Sequence, residues 1–319
     1  MRTLLGRKAR RDLRRQRAQA GAVAATVFLG IVLFVADLDA SLNLSTSYAS
    51  FYERTAMADV WITGGDTPAI ADALAADPRV ATVEDRVHAD VPLRLAGREL
   101  YGRVDGATSG VNRLHLVAGR DLGPDDTRAV VLERHAADEF DLAVGDTVEV
   151  RLGDSWTPVP VVGVAASPEY LFPSRSRTDI FTLPSEFAVV FAPDELARRM
   201  APDTPRQVVA RFVDGTDTDA ALADVRALAD AHGAGEVYGL DEQPSNLALQ
   251  SDVQGFASIS VLFPLLFLSV AGMAAYVMLG RLVRRERHEI GTLYANGIDR
   301  RSIVRHYVTH GLVICVAGG

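Results

Sequence analysis

The chain has 319 residues, 48% of them hydrophobic, and its 33 lysines and arginines are outnumbered by 41 aspartates and glutamates, for a formal charge of −8. This composition is too apolar for a disordered chain, and the single cysteine excludes a disulfide framework or a cysteine-rich zinc site. The acidic total argues against a nucleic-acid partner. The charge is nevertheless segregated, with net values of +7 over residues 1–36, −19 over 37–252 and +4 over 253–319. Each boundary coincides with a hydrophobic run.

The first run, Ala18–Ala36, carries no charge and follows a strongly basic segment. As a helix it would extend over roughly 28 Å, close to the hydrocarbon thickness of a bilayer, so we predict a membrane span over residues 18–40. A cleaved signal peptide, with Ala40 as the candidate cleavage residue, is the alternative. The apolar run is longer than a usual signal-peptide core, which favours a retained span.

The acidic segment 41–252 mixes helical and strand patterns. Its predicted elements are a strand at Asp59–Thr63, a helix at Thr67–Ala76, a strand at Val80–Leu95 with a hairpin partner at Gly97–Asp105, a strand at Ala129–Leu132, a helix at Glu133–Phe140, a turn into a strand at Leu142–Val148, a β-rich run at Val159–Val164, a loop over 167–186, a strand at Phe187–Phe191, a β-rich return at Arg206–Val213 and a helix at Asp219–Ala231. Thr67 is the expected helix N-cap, and Pro92 predicts an edge or bulge. The predicted fold is α+β, a split α/β module that carries an inserted β-rich subdomain, flanked by transmembrane helices.

Catalytic signatures are missing from this acidic segment. The only lysine in the chain is Lys8, so there is no phosphate-binding loop of the Walker type. The histidines of the segment are scattered without the spacing of metal ligands, and neither a Gly-x-Ser-x-Gly motif nor a cysteine nucleophile occurs there. We therefore expect no enzyme activity, no cofactor and no metal.

The second run, Val253–Gly280, is uncharged over its whole length, and Pro264 is a candidate kink within it. Clusters of arginine precede the first run and follow the second, so the positive-inside rule places both clusters in the cytoplasm and the acidic segment outside. A third run begins near Tyr307 and is expected to be the start of a truncated span. The predicted division is a basic cytoplasmic N-terminus at 1–17, a first span at 18–40, an extracytoplasmic domain with stalks at 41–252, a second span at 253–280, a cytoplasmic loop at 281–306 and the start of a third span at 307–319.

The loop Arg281–Tyr307 predicts two short helices. The first continues the second span through about Leu293, and Asn296-Gly297 supplies the turn. Asp299 can cap the helix that follows. Arginines that only hold the loop at the lipid surface would be the simplest interpretation. Apolar residues interleaved with these charges favour a compact element that docks into a protein groove.

The loop pattern Arg285-x-Arg287-x-Glu289-Ile290-Gly291-Thr292-Leu293-x-Ala295-x-Gly297 closely resembles FtsX/MacB-type ABC-transporter permeases. Further likeness lies in Ser47-Tyr48, Phe51–Arg54 and Ala58–Trp61, and Leu142 with Gly145–Val148 resembles the periplasmic core module of that family.

The resemblance implies a permease subunit that lacks its own ATPase and pairs with a separate ABC ATPase subunit, which binds the ATP. It implies a homodimer or pseudo-dimer in contact with membrane lipid, with motion relayed through stalks near Ser41–Arg54 and Asp241–Asp252 for export, lipid or lipoprotein extraction, or signalling. In this interpretation Arg285, Arg287 and Glu289 orient the coupling loop, while Ile290, Leu293 and Tyr294 make buried contacts and Gly291 and Gly297 complete the motif.

Two other classes of protein remain as alternatives. A two-span receptor with an outer sensor domain would follow its second span with a long helical linker, whereas a third apolar run begins here about 26 residues after Gly280. A membrane-anchored extracellular enzyme is disfavoured because the outer segment has no catalytic constellation.

Overall fold

The computed structural model describes residues 17–179, 182–305 and 307–309, without the side chains of 17, 19, 20 and 256–261. The predicted tail 1–17 and most of the predicted third run therefore lie outside the described residues. The chain divides into two compact units. One, which we call the globular unit, comprises Thr46–Asp252, and the other, the helical unit, comprises the chain up to Ser45 and from Val253 onward.

Ten strands are described, all in one sheet with the order β10-β1-β9-β2-β3-β8-β5-β7-β4, and β6 pairs with both β2 and β7. The strands are β1 (Val60–Thr63), β2 (Val80–Leu95), β3 (Arg98–Gly106), β4 (His115–Gly119), β5 (Val130–Glu133), β6 (Thr147–Leu152), β7 (Ser155–Ala166), β8 (Val189–Ala192), β9 (Arg206–Phe212) and β10 (Glu236–Gly239). The helices are α1 (Arg17–Thr55), α2 (Thr67–Ala75), α3 (Arg134–Phe140), α4 (Asp194–Met200), α5 (Thr218–Ala231), α6 (Pro244–Arg285) and α7 (Arg287–Ala295), with 3₁₀ turns at Pro168–Tyr170 and Leu240–Glu242.

The first part of the globular unit, the framework subdomain, consists of β1, α2, the first half of β2, β9, α5 and β10. Its strands are all antiparallel. Alternate residues of β1 point to opposite faces, so Val60 and Ile62 pack under α2 and α5 while Trp61 packs on the other side. The predicted return of the chain to its first module through β9 and α5 is confirmed by this pairing.

The remainder, residues 88–205, forms the inserted subdomain. Its core is built from valine, leucine and alanine residues of β2, β5, β6 and β7 together with one face of the short helices α3 and α4. The pairs β3–β8 and β5–β7 are parallel, and the other pairs of this subdomain are antiparallel. The structure thus bears out the prediction of a split α/β module with a β-rich insertion.

The long strand β2 belongs to both subdomains. Residues Val80–Val87 pair with β9 of the framework, and residues His88–Leu95 pair with β3 of the insertion. Pairing of β2 with β9 ends at Val87, and pairing of β2 with β6 begins at Leu93. Pro92 lies in the gap between them, so the predicted edge position is correct for the described strands.

Local predictions failed where neighbouring residues compete for one role. The N-cap of α2 is Asp66 instead of Thr67, because the Asp66 carboxylate accepts from the amide of Ala69 at 3.2 Å. Thr67 is the first helical residue and is buried. The strand β4 was not predicted, because its sequence His-Leu-Val-Ala-Gly does not alternate in polarity, and all five of its residues are exposed.

Two described helices are long and apolar enough to cross a membrane, at Gly21–Thr55 and Leu262–Arg285. Val23 and Val27 of the first helix pack against Ala271 and Met278 of the second. A Cβ atom on Gly30 would lie 3.1 Å from the Cβ of Phe267, so glycine permits the close approach of the two helices there. The second helix continues through Pro264 without a break.

Candidate functional site

The described residues 282–305 and 307–309 form a helical hairpin, called the 282–309 hairpin below, with an apolar core of its own. Leu282, Ile303 and Tyr307 are buried, and Ile290, Leu293 and Ile298 pack at the border of this cluster. The helical residues 300–305 and 307–309 form the second arm. The hairpin is therefore a packed element, as predicted, and more than a charged connection between helices.

The first arm is not one continuous helix as predicted. The helix α6 ends at Arg285 and α7 begins at Arg287, with Glu286 as the N-cap residue between them. The carboxylate of Glu286 is buried and accepts from the hydroxyl of Tyr307 at 2.6 Å. This hydrogen bond joins the first arm to the second.

The turn of the hairpin is a Schellman motif. The amide of Ile298 donates to the carbonyl of Leu293, and the amide of Gly297 donates to the carbonyl of Tyr294. Gly297 has a φ of +79°, a conformation that costs any residue with a Cβ atom. The Asp299 carboxylate then accepts from the amide of Ser302 at 3.3 Å, which confirms Asp299 as the cap of the second arm.

The eight residues predicted as coupling residues fall into groups with different surroundings. Ile290 and Leu293 are half-buried against the core of the hairpin, and Gly297 forms its turn. Arg285, Arg287, Glu289, Gly291 and Tyr294 are exposed, with Tyr294 46% accessible. Ile290 and Leu293 thus pack within this chain, and the coupling roles of all eight residues stay predictions.

One exposed face of the hairpin is concave and basic. It is lined by Arg284, Arg285, Arg287, His288, Gly291, Thr292 and Ala295 around a shallow depression of about 730 Å³. The small residues come from successive turns of α7, so no large side chain fills the depression between the arginines. Such a surface is suited to an acidic or polar partner segment.

A second candidate region lies in the globular unit, where α1 ends and α6 begins. The hydroxyl of Tyr52 near the end of α1 donates to Asn246 in the first turn of α6 at 3.3 Å. The side-chain amide of Asn246 in turn donates to the carbonyl of Leu240, and its backbone amide donates to Gln243. These contacts lie within the stalks predicted at 41–54 and 241–252 and join one stalk to the other.

Beside these stalk ends lies a buried ion pair that sequence reasoning did not single out. The guanidinium of Arg86 on β2 donates two bonds of 2.6 Å to the two oxygens of Glu169, and both residues are less than 5% exposed. The indole N–H of Trp61 donates to Glu169 at 2.7 Å, and Gln207 on β9 accepts from Arg86 at 2.7 Å. Burial by itself lowers the pKa of Arg86, but the charges of Glu169 and Asp105 raise it above the ordinary arginine value.

Glu169 lies in the 3₁₀ turn at Pro168–Tyr170, and the backbone of this turn and of the residues just after it is hydrogen-bonded to the second stalk. The side-chain amide of Gln243 donates to the carbonyl of Glu169 at 2.9 Å, and the amide of Phe172 donates to the hydroxyl of Ser245 at 2.9 Å. We call the set formed by Trp61, Arg86, Glu169, Gln207, Gln243 and Ser245 the stalk junction. It connects β1, β2 and β9 of the framework with the start of α6.

A second buried acid adjoins the stalk junction. Asp105 on β3 is fully buried, lies 2.6 Å from the Nδ1 of His88 and accepts from the hydroxyl of Tyr170 at 2.8 Å. Burial alone would raise the pKa of Asp105, but the neighbouring His88 and Arg86 more than offset this and hold the pKa below its usual range. Tyr170 shares the 3₁₀ turn with Glu169, so the turn is held to β3 as well.

The sequence carried one usable signal for this region. Ser167 followed by Pro168 is a capping pattern, and the Ser167 hydroxyl accepts from the amide of Glu169. The pairing of Arg86 with Glu169, which are 83 residues apart in the sequence, has no local signature. Among the described residues, no group of three or more metal-binding side chains is present.

Comparisons with known proteins bear on the globular unit and the first helix. A family described as the MacB-like periplasmic core domain matches residues 21–228. No curated protein matches in a sequence search.

Solved structures also show likeness. The periplasmic region of MacB from Actinobacillus actinomycetemcomitans is 14% identical, with a TM-score of 0.40, and the match covers 62% of this chain and 95% of that one. The extracellular domain of the noncanonic ABC-type transporter YknZ from Gram-positive bacteria is 16% identical, with a TM-score of 0.39, over 57% and 98% of the two chains. A domain of a putative permease protein from Porphyromonas gingivalis is 15% identical, with a TM-score of 0.34, over 56% and 84%.

Proposed function

Because the chain belongs to the family of the MacB-like periplasmic core domain, found in MacB/FtsX-type ABC-transporter permeases, we propose that it is the membrane subunit of an ABC transporter. ATP hydrolysis by a separate ATPase subunit moves the 282–309 hairpin. The stalks pass this movement to the globular unit, which acts in export, in extraction of a lipid or lipoprotein, or in signalling. The chain works as a homodimer or pseudo-dimer in a lipid bilayer.

The observation that carries this proposal is the design of the 282–309 hairpin. Its apolar residues are used for its own core, its turn is fixed by Gly297, and its arginines remain on an exposed concave face. A rigid element with a basic outer surface can bind a partner and transmit force from it without unfolding. An arginine cluster that only anchors a loop to lipid would not require an apolar core and a defined turn.

Variants at exposed positions of the hairpin test the docking of the ATPase. Leu293→Asp would disturb the core of the hairpin itself, so loss of the partner would not distinguish docking from misfolding. Arg287→Glu and Tyr294→Ala alter exposed positions, and both should abolish or strongly reduce co-purification of the ATPase subunit with the full-length permease. Arg199→Glu, an exposed charge reversal on α4, is the matched control and should leave co-purification intact. Normal recovery of the ATPase with both hairpin variants would exclude docking at this surface.

The proposed topology places residues 41–252 outside the cytoplasmic membrane and the hairpin inside, with a cytoplasmic N-terminus and several spans. Reporter fusions at His232 and Asn296 test this arrangement directly. We expect the first reporter to be active only outside and the second only in the cytoplasm. A cytoplasmic signal from position 232 would overturn the topology and the coupling scheme with it.

The chain itself is proposed to bind no ATP and no other cofactor and to catalyse no reaction. Its single lysine cannot supply a Walker motif within the globular unit. The purified permease alone should therefore hydrolyse no ATP, and activity should appear on addition of the ATPase subunit. Hydrolysis by the permease alone, in a preparation free of the partner, would contradict this.

A further inference from the structure

The 3₁₀ turn at Pro168–Tyr170 touches three parts of the globular unit at once. Through the Glu169 side chain it is bonded to Trp61 and Arg86 of the framework subdomain. It directly follows β7 of the inserted subdomain, and Tyr170 bonds to Asp105 on β3. Through its carbonyl, Glu169 is bonded to Gln243 at the start of α6. Glu169 alone among these residues contacts the framework with its side chain and the second stalk with its backbone.

We propose that Glu169 is a positioning residue that fixes the start of α6 to both subdomains, so that movement of α6 displaces the inserted subdomain relative to the framework. This inference rests on the proposed function, in which α6 leads from the hairpin to the globular unit. It assigns the coupling to one carboxylate in the interior of the globular unit, far along the chain from the predicted docking residues.

The chemistry of the pair supports a geometric role. A buried arginine–carboxylate pair adds little stability over well-packed apolar residues, because desolvation of both charges offsets their attraction. Its two parallel hydrogen bonds nevertheless define distance and angle more narrowly than apolar packing does. In this site all the partners of the Glu169 carboxylate lie on framework strands, so the carboxylate sets the position of the turn against the sheet.

The test compares Glu169→Gln with Glu133→Gln in the full-length permease bound to its ATPase in lipid nanodiscs. Glu133 is also buried, at 2% exposure, but its carboxylate caps α3 and takes no part in the stalk junction. In a Cys315→Ser background, spin labels at the exposed positions Glu195 of α4 and Asp219 of α5 report the distance between the inserted and framework subdomains. Both variants keep the size of the side chain, and each removes one buried negative charge.

The expected result is specific to Glu169. Glu169→Gln should broaden the distribution of label distances without nucleotide and lower the population of the fixed arrangement by about tenfold, as expected for loss of a charge-assisted hydrogen-bond pair. It should also remove the ATP-driven shift in distance while ATPase binding stays normal. Glu133→Gln should match the parent protein in all three measurements. Equal distance distributions for the two variants would overturn the proposal.

The failure of the proposed function is distinguishable from failure of this inference. If the ATPase does not bind the parent protein, the proposed function fails, and the distributions without nucleotide still decide whether Glu169 fixes the subdomains. If Glu169→Gln fails to fold, Gln243→Glu serves instead, because it replaces the amide that donates to the Glu169 carbonyl with a carboxylate oxygen, which that carbonyl repels, and keeps the acceptor for Asn246. Labels at the exposed positions 195 and 252 should then show a broadened distribution, and an unchanged one would overturn the proposal.

Discussion

The 282–309 hairpin and the stalk junction both combine arginines with carboxylates, but the exposure of these groups is opposite. In the hairpin, Arg285 and Arg287 lie on an open concave surface, and the core is apolar apart from the bonded pair of Glu286 and Tyr307. In the stalk junction, Arg86 and Glu169 are both buried and bonded to each other. Exposed charge can recruit a partner at little desolvation cost, whereas buried charge restricts internal geometry. The comparison predicts that substitutions in the two regions fail in different ways.

The largest expected effect on stability comes from breaking the buried pair on one side. Arg86→Met leaves the Glu169 carboxylate without its ion partner and should lower the free energy of unfolding by about 3–5 kcal/mol. Chemical unfolding followed by tryptophan emission measures this, because both tryptophans, Trp61 and Trp156, lie in the globular unit.

Two control variants test whether the loss of stability comes from the buried charge. Adding Glu169→Gln to Arg86→Met should restore a large part of the loss, since no uncompensated charge then remains buried. Arg285→Met in the hairpin should change the same unfolding transition by less than about 0.5 kcal/mol, as for other exposed positions. A similar loss for Arg86→Met and Arg285→Met would remove the distinction between the two regions.

Acid is also expected to lower the stability of the globular unit. The folded-state pKa of Asp105 is lowered, so its ionised form stabilises the fold at pH values above the ordinary aspartate pKa of about 3.9. As the pH falls below that value toward the lowered pKa, the unfolded state gains the proton first and stability declines by up to about 1.4 kcal/mol per pH unit. Unfolding curves at pH 6, 4 and 3 measure the decline. Asp105→Asn should flatten it, and an equal decline in that variant would refute the assignment to Asp105.

A local effect, smaller than that of Arg86→Met, is expected at the turn of the hairpin. Gly297→Ala forces a Cβ atom into a φ of +79° and should cost about 1–2 kcal/mol in local stability. Gly291→Ala lies in a helical, exposed position with open space around it and should stabilise α7 by about 0.5–1 kcal/mol. Hydrogen exchange of residues 293–298 in the full-length protein distinguishes the two outcomes. Equal exchange rates in both variants would contradict the Schellman assignment.

Sequence patterns were sufficient to predict an element wherever its own residues carry the signal that defines it. The strands β2 and β3, the helix α5 and the turn at Asn296-Gly297 were predicted close to their observed bounds, because alternation, helical spacing and capping residues are local signals. The break at Glu286 was missed because the helical spacing of apolar residues continues across it and the bond to Tyr307 comes from the other arm.

The candidate site divides in the same way. The hairpin could be found from its charge and spacing, whereas the stalk junction could not, since Arg86, Glu169 and Gln207 come from three distant parts of the chain. An isolated charge in a strand pattern normally indicates a solvent-facing position. Only the tertiary structure reveals that Arg86 faces the interior and meets a carboxylate there.

The strand shared by the two subdomains has a consequence for how the globular unit forms and how it can be recombined. Val60 of β1 pairs with Ala210 of β9, so the framework sheet cannot close until two strands separated by 149 intervening residues have come together. Contacts of β2 with β3 need only a short hairpin, which favours early formation of the insertion, with β2 then serving as the template on which β9 docks. A chimera that exchanges the insertion with a relative must therefore retain β2 whole, because a junction at residue 88 would cut the strand that both subdomains need in order to fold.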